Sequence, residues 1–545
     1  MKKRTRRLLA LLLSVVLVST CVTGAAFAAY DPNAFGSVND EAHNASRLTK
    51  GFYNATDTLI DILGVAITSL MPDQAAWAKG KGEAKTAVMA GDETFIDEPA
   101  AGARWSVGYD SASLLEGQNV LDGNHYVGGT LKFNKKVATS VEDDLRVRTV
   151  AMDDGSGRGV TVFAVVDGFG LSATDVWAIR EEMADFCAEK NVKSLNISVL
   201  HQHSAVDTLG LNGNFWTALF GNPWRNLFGQ KPVSGQTDSY MRHLYDSVEA
   251  TVENAVANMT TGALYYGKVS LAEYVRDKRD PQVLDPFMER FRFVPDDGGR
   301  EIWLSTSNIH CVGNGAGGTL ITGDYPYYME QYINAQYNAD FCLILGAEQG
   351  TTQDHSTIEY EDDGSVLGSL PAYGEALAQR LASVENETEV APILNIAHRQ
   401  VAFDISNKIL ILAGKGGLTT NPIRHAGIGK YQELSEIGYM EIGRDVAVAI
   451  VPGEAAAELF YGGACPADKS WSGEAWTLDP IADAAPDKDL IVFGLMNDMV
   501  GYIIPDNDYM PILYPENSSL EVVALGDTVA STMTNALAEL ISAVG

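Results

Sequence analysis

Leu195-Asn196-Ile197-Ser198-Val199-Leu200-His201-Gln202-His203 is an apolar run that stops at two histidines. Six residues dominated by aliphatic side chains have the length and composition of a buried strand. The surroundings decide the fold class. Residues 149–152 and Val160–Val166 read as strands on either side of the turn Asp153-Asp154-Gly155-Ser156-Gly157, and 173–189 reads as a helix leading into the quoted strand. Strand, helix, strand is a β-α-β unit, which predicts an α/β fold: a mixed sheet with parallel pairing, flanked by helices. In such sheets ligands collect beyond the carboxyl ends of the strands. Asp167 closes one strand and His201 the next, so the two are expected to share a site. Neutral imidazole is the commonest metal ligand. The two rings are expected to point apart, one to a metal and the other to a second shell or a substrate.

The N-terminus sets the expected compartment. Lys2, Lys3, Arg4, Arg6 and Arg7 precede an apolar stretch over 8–18, and Ala26-Phe27-Ala28 follows. That is the pattern of a secretory signal peptide over 1–28, cut after Ala28. The stretch is too short to span a bilayer comfortably. Cys21 offers an alternative as the acylated residue of a lipoprotein, although Thr20 is bulkier than the residue that usually precedes one. The expected localisation is secreted or at the surface of a bacterium. Net charge is −32, and without 1–28 it becomes −37, from 34 Lys and Arg against 71 Asp and Glu. Bulk electrostatics therefore argue against nucleic acid or anionic lipid as a partner. Cys187, Cys311, Cys342 and Cys465 stand singly in apolar contexts, with no CxxC. They read as small buried hydrophobes.

Residues 29–100 form a helical extension and linker ahead of one large domain, 101–545. Leu48, Phe52, Leu59, Ile62, Leu63 and Ile67 recur near helical spacing within 45–70, and a Lys/Gly/Ala-rich stretch over 78–90 reads as a connection. This helix either packs on the main domain or acts as a lid or lipid-contacting element, which would give peripheral membrane contact. Trp216, Phe220, Trp224 and Phe228 form either an aromatic rim for an apolar substrate or a loop packed on itself.

Further segments fall in a telling order: Lys278-Arg279-Asp280-Pro281, His310 followed by Leu320-Ile321-Thr322-Gly323-Asp324, Pro452-Gly453-Glu454, and Asn497-Asp498-Met499-Val500-Gly501-Tyr502, with Tyr514 beyond. Together with Leu200-His201-Gln202-His203-Ser204, they resemble the neutral/alkaline ceramidase family over about residues 105–525. The resemblance implies a zinc site built from His201, His310, Glu454 and Tyr502. Two imidazoles, a carboxylate and a phenolic oxygen suit Zn²⁺. Zinc would bring the pKa of water from 15.7 to about 7. His203 would orient or deprotonate that water. Arg279 and Tyr514 would donate to the amide oxygen as charge develops on it. The implied function is a secreted zinc-dependent hydrolase of an amide bond in a small-molecule or lipid-like N-acyl substrate.

Each residue also has a purely structural reading. Pro-Gly-Glu opens many helices, His310 beside Cys311 could be a core histidine, Arg279 lies in a charged run, and both tyrosines could be packing aromatics. Three departures bear on function. Gln353 falls where the family has a serine held important for activity. Ser204 is followed by Ala-Val-Asp where the family has Gly-Pro-Gly. The sequence ends at Gly545, so a single catalytic domain without the family's C-terminal β-sandwich is expected. Two alternatives follow: a catalytically degenerate surface binding protein on the same fold, and a metal-dependent esterase or phosphatase.

Overall fold

The computed structural model describes residues 45–70, 91, 94–129, 137–213, 217–218, 221–222, 224–225, 228–279, 281–313, 318–348, 351–354, 366–512, 514 and 520–545. The expected signal segment 1–28 with Cys21, the expected connection 78–90, Trp216 and Phe220 lie outside them. Val160–Val166 is buried along its whole length. Burial on both faces explains why it reads as a continuous apolar run rather than an alternating one. It pairs in parallel with Val192–Val199, Val166 facing Val199. The crossover is helical, but it is two helices, Ala173–Glu182 and Ala184–Lys190, broken at Met183 and ended by Asn191 at φ 56°. A second crossover repeats the plan: Glu301–Ser307, helix Asp324–Gln336, then Ala339–Leu345 in parallel with the first.

These strands belong to one mixed sheet. Its order runs Ala339–Leu345, Glu301–Ser307, Phe287–Pro295, Thr260–Ser270, Trp105–Ser113, Arg146–Asp153, Val160–Val166, Val192–Val199, with Thr388–Glu389 paired beside Thr260–Ser270. The sheet curls, so that end strand Ala339–Leu345 also touches Arg146–Asp153, Val160–Val166 and Val192–Val199. Twist accumulating over many strands produces such closure. A second sheet contains Leu394–Ile405, Lys430–Ile442, Val446–Ile450 and Asp489–Phe493, the last two in parallel. It packs on the first through pairs such as Phe163 and Phe493, with ring centroids 5.5 Å apart. Its far side is covered by helix Val529–Val544. The α/β expectation holds: a mixed sheet flanked by helices.

All four described cysteines are buried and free. No described helix is long and apolar enough to cross a membrane. Helix Arg47–Leu70 packs on the domain, with an unexpected orientation. Lys50 donates to the carbonyls of Ser470 and Trp471, Asn54 accepts from the Trp471 indole at 3.0 Å, and Gly64 lies against Lys408. Leu48, Phe52, Leu59 and Ile62 face outward and are 57–85% exposed. The packed flank is mixed: Tyr53 meets Tyr514 and Val65 lies against Gly429, beside Lys50, Asn54, Gly64 and the buried Thr68. Trp224 and Phe228 are also exposed.

Candidate metal centre

The candidate ligands all follow carboxyl ends of parallel-paired strands. His201 and His203 come after Val192–Val199, His310 after Glu301–Ser307, Glu348 after Ala339–Leu345, and Glu454 after Val446–Ile450. The curl of the first sheet and its contact with the second bring these ends to one place. Two joints fix the second sheet there. The Gly494 amide donates to the Leu345 carbonyl at 2.7 Å, and the Asn497 amide to that of Ile197, also at 2.7 Å.

His201 sits at φ 47°, in the left-handed region. A non-glycine residue there is uncommon and is often retained at a functional turn. The two imidazoles do not point apart. Alternate residues share a face of a strand, and the turn at His201 then folds both rings into one pocket, centroids 4.8 Å apart. Phe169 stacks on His201 at 4.6 Å and meets His203 edge-on. His201 Nδ1–H donates to the Phe169 carbonyl at 2.6 Å. That leaves Nε2 as the lone-pair nitrogen, 3.4 Å from a Glu454 carboxylate oxygen. Fixing one ring nitrogen by a backbone carbonyl is how ligating histidines are held in the required tautomer.

Asp167 lies beside the turn rather than among the ligands. It accepts from Gln202 Nε2 at 2.7 Å, from Arg148 at 2.8 Å and from the Arg146 amide at 2.8 Å. Gln202 in turn accepts from the Gly168 amide. The middle residue of His-Gln-His therefore anchors both histidines to the neighbouring strand end.

His310 lies between the other groups. Its Nε2 is 2.7 Å from His203 Nε2, and its Nδ1 is 3.7 Å from an oxygen of both Glu348 and Glu454. One ligand atom each from His310, Glu348 and Glu454 falls within 4.8 Å of the others, and the same holds for His201, His203 and His310. Bonds of about 2.0–2.2 Å to a tetrahedral ion leave ligands roughly 3.3–3.6 Å apart. The 3.4 Å separation falls within that range, and the 3.7 Å separations lie just beyond it. Tyr502 pairs with Glu454 across a two-residue parallel bridge, and its hydroxyl bonds the Glu454 carboxyl. The rest of the Asn-Asp-x-x-Gly-Tyr segment builds that bridge. Asn497 accepts from the Ile197 amide at 2.9 Å, and Gly501 sits at φ 80° where a Cβ would meet the Val523 carbonyl oxygen at 1.9 Å.

The electrostatics suit a divalent cation. Burial lowers His201 to about 4, and burial with the neighbouring imidazoles and Lys278 holds His310 well below its usual value. Both rings are therefore neutral at pH 7 and able to ligate. Burial raises Glu454 to about 8, and burial together with the charge of Glu454 raises Glu348 well above the carboxylate range. Both Glu348 oxygens and Glu454 Oε2 are buried without a hydrogen-bond partner. A divalent ion is what such a donor set accommodates.

Arg279 and Tyr514 are each held by neighbouring side chains. Arg279 is buried and bonds Asp508 at 2.7 Å and Glu521 at 3.3 Å. Tyr514 packs on Trp471 and, at 5.1 Å, on Tyr53 of the Arg47–Leu70 helix. Gln353 is buried and donates to Asp324 at 2.7 Å. Glu348 was missed in the sequence. The signal was present, because Phe341-Cys342-Leu343-Ile344-Leu345 is an apolar strand that ends three residues before a carboxylate.

No protein-family model matches the sequence, and no curated protein does. Solved structures do match. Neutral ceramidase from Pseudomonas aeruginosa superposes with a TM-score of 0.60 at 12% identity, over 81% of this chain and 74% of the other. A ceramidase complexed with C2 gives 0.57 at 11%, over 81% and 75%. The fold is ceramidase-like. At this identity the likeness extends to the fold alone, and the ceramidase-like frame brings the strand ends described above to one point.

Proposed function

We propose that the protein is a secreted zinc-dependent hydrolase of an amide bond in a lipid-like N-acyl substrate. The observation that carries this reading is a buried cluster in which His310 joins His201 and His203 on one side and Glu348 and Glu454 on the other, with carboxylate oxygens that have no hydrogen-bond partner. His201, His310, Glu454 and Tyr502 would hold the ion. When bound, zinc supplies the Lewis acidity that makes water a nucleophile near neutral pH. His203, hydrogen-bonded to His310, accepts the proton of the attacking water. Phe169 screens both histidines from solvent on one side. Tyr514 donates to the amide oxygen as charge builds on it. Arg279 has its charge balanced by Asp508 and Glu521, which favours a part in fixing the segment that carries Tyr514.

The ceramidase-like fold and the ceramidase complexed with C2 support an N-acyl substrate for this chain. The outward stripe Leu48, Phe52, Leu59 and Ile62 supports peripheral contact with a lipid surface, where such a substrate resides. Lys2 to Arg7 and the apolar stretch behind them support export. The test is metal content of gently purified protein, joined to a panel of N-acyl, ester and phosphoester compounds with and without chelator. Turnover of an N-acyl compound that zinc restores is the expected result, and protein that takes up no zinc ends the reading. The degenerate binding protein is the second reading. Gln353, tied to Asp324, favours it, since an amide cannot carry a proton as a serine hydroxyl does.

A further inference from the structure

Resting on the metal-centre reading above, the geometry points to Glu348 as a second carboxylate ligand, so that two imidazoles and two carboxylates hold the ion beside the Tyr502 hydroxyl. Elsewhere in the described fold, fully buried carboxylates have a cation or a hydrogen-bond donor, as Glu433 has Asn421 at 2.7 Å and Asp207 has the Asn212 amide at 2.7 Å. Arg148 meets Glu330 at 2.6 Å, Arg180 meets Glu436 at 2.8 Å, and Arg279 meets Glu521 at 3.3 Å. Glu348 is equally buried, yet neither of its oxygens has a hydrogen-bond partner. An isolated buried carboxylate is costly unless it is paired or bound to a metal. Its Oε2 stands 3.7 Å from His310 Nδ1, the same distance as Oε2 of Glu454. It also leaves its strand end as the other ligands do. The Thr351 hydroxyl braces this loop by donating to the Glu348 carbonyl at 2.7 Å, and the His310 amide donates to that hydroxyl at 3.3 Å.

Two carboxylates balance the charge of a divalent ion. They also harden the donor set, which narrows the gap between zinc and manganese relative to a site with one carboxylate. The test titrates zinc, and separately manganese, into the chelator-treated full chain and its Glu348→Gln and His201→Ala variants. Each metal-free melting temperature and each cobalt absorption spectrum is recorded beside the affinity. Glu348→Gln is expected to weaken zinc at least tenfold and manganese more, and to change the cobalt spectrum. Its metal-free melting temperature should stay level or rise, because an amide needs no counter-charge. Wild-type affinity and an unchanged cobalt spectrum in Glu348→Gln overturn the inference, as does a fall in metal-free stability with affinity intact. Should that variant not fold, Glu348→Asp carries the same readouts. Protein that binds neither metal, wild type and His201→Ala alike, defeats the metal centre itself and is told apart on that ground.

Discussion

His201 Nε2 and a carboxylate oxygen of Glu454 stand 3.4 Å apart, although one follows a strand of the first sheet and the other a strand of the second. Neither sheet alone makes the site. A divalent ion held by both groups would tie the sheets together. His201→Ala or Glu454→Ala is expected to remove stoichiometric zinc. It should also erase the zinc-dependent gain in stability, about 2.7 kcal/mol when free metal is 100 times Kd. Elemental analysis and melting curves with and without added zinc check both.

Asp167 acts on the centre through Gln202. Asp167→Ala removes one of the two acceptors of the Gln202 side-chain amide, the other being the Gly323 carbonyl, and leaves the buried Arg148 with one carboxylate fewer. Breaking a buried ion pair costs roughly 3–5 kcal/mol. Loosening the support of a ligating histidine typically costs about 10–100-fold in metal affinity. Both losses are expected together in denaturant unfolding and metal titration. Unchanged affinity would cut the proposed link to His201 and His203.

Gln353→Ser restores the residue type found in the ceramidase resemblance but removes a donor to Asp324. Deleting one partner of a buried hydrogen bond costs about 1–3 kcal/mol. The expected outcome is lower stability with no gain in N-acyl turnover. A rise in turnover above wild type would show that the amide suppresses activity at this position.

His398 gives a pH dependence with a definite sign. It is buried near Ser194, and burial lowers its pKa from 6.5 to about 4. An unfolded chain takes up the proton below about 6.5, while the folded protein resists until about 4. Stability attributable to this ring is present above the upper value and is lost as pH falls through the window, at up to about 1.4 kcal/mol per pH unit. His201, also at about 4, adds in the same direction. His398→Gln should flatten the wild-type slope between pH 6.5 and 4, as read by denaturant midpoints.

The β-α-β unit at Val160–Val199 and the helix near 45–70 were legible because each depends on local periodicity. His201, His310, Glu454 and Tyr502 are picked out by motif order; in the structure His201 and His310 lie 3.4 and 3.7 Å from Glu454, and Tyr502 pairs with it. Glu348 carries the same strand-end signal as the others, but its meeting with them depends on the curl of an eight-strand path, which no local pattern encodes. The break at Met183 was hidden for a smaller reason, since methionine is a good helix former. The outward turn of Leu48, Phe52, Leu59 and Ile62 shows another limit. Periodicity identifies an apolar flank, whereas the docking surface decides which way it faces.

The joint between the two sheets has a mechanical meaning. With the ion in place, both halves share one rivet at the strand tips, where Gly494 and Asn497 already stitch backbone to backbone. Stripping the metal should therefore do more than silence chemistry. It should broaden the thermal transition, because two β layers that melted as one would begin to melt separately.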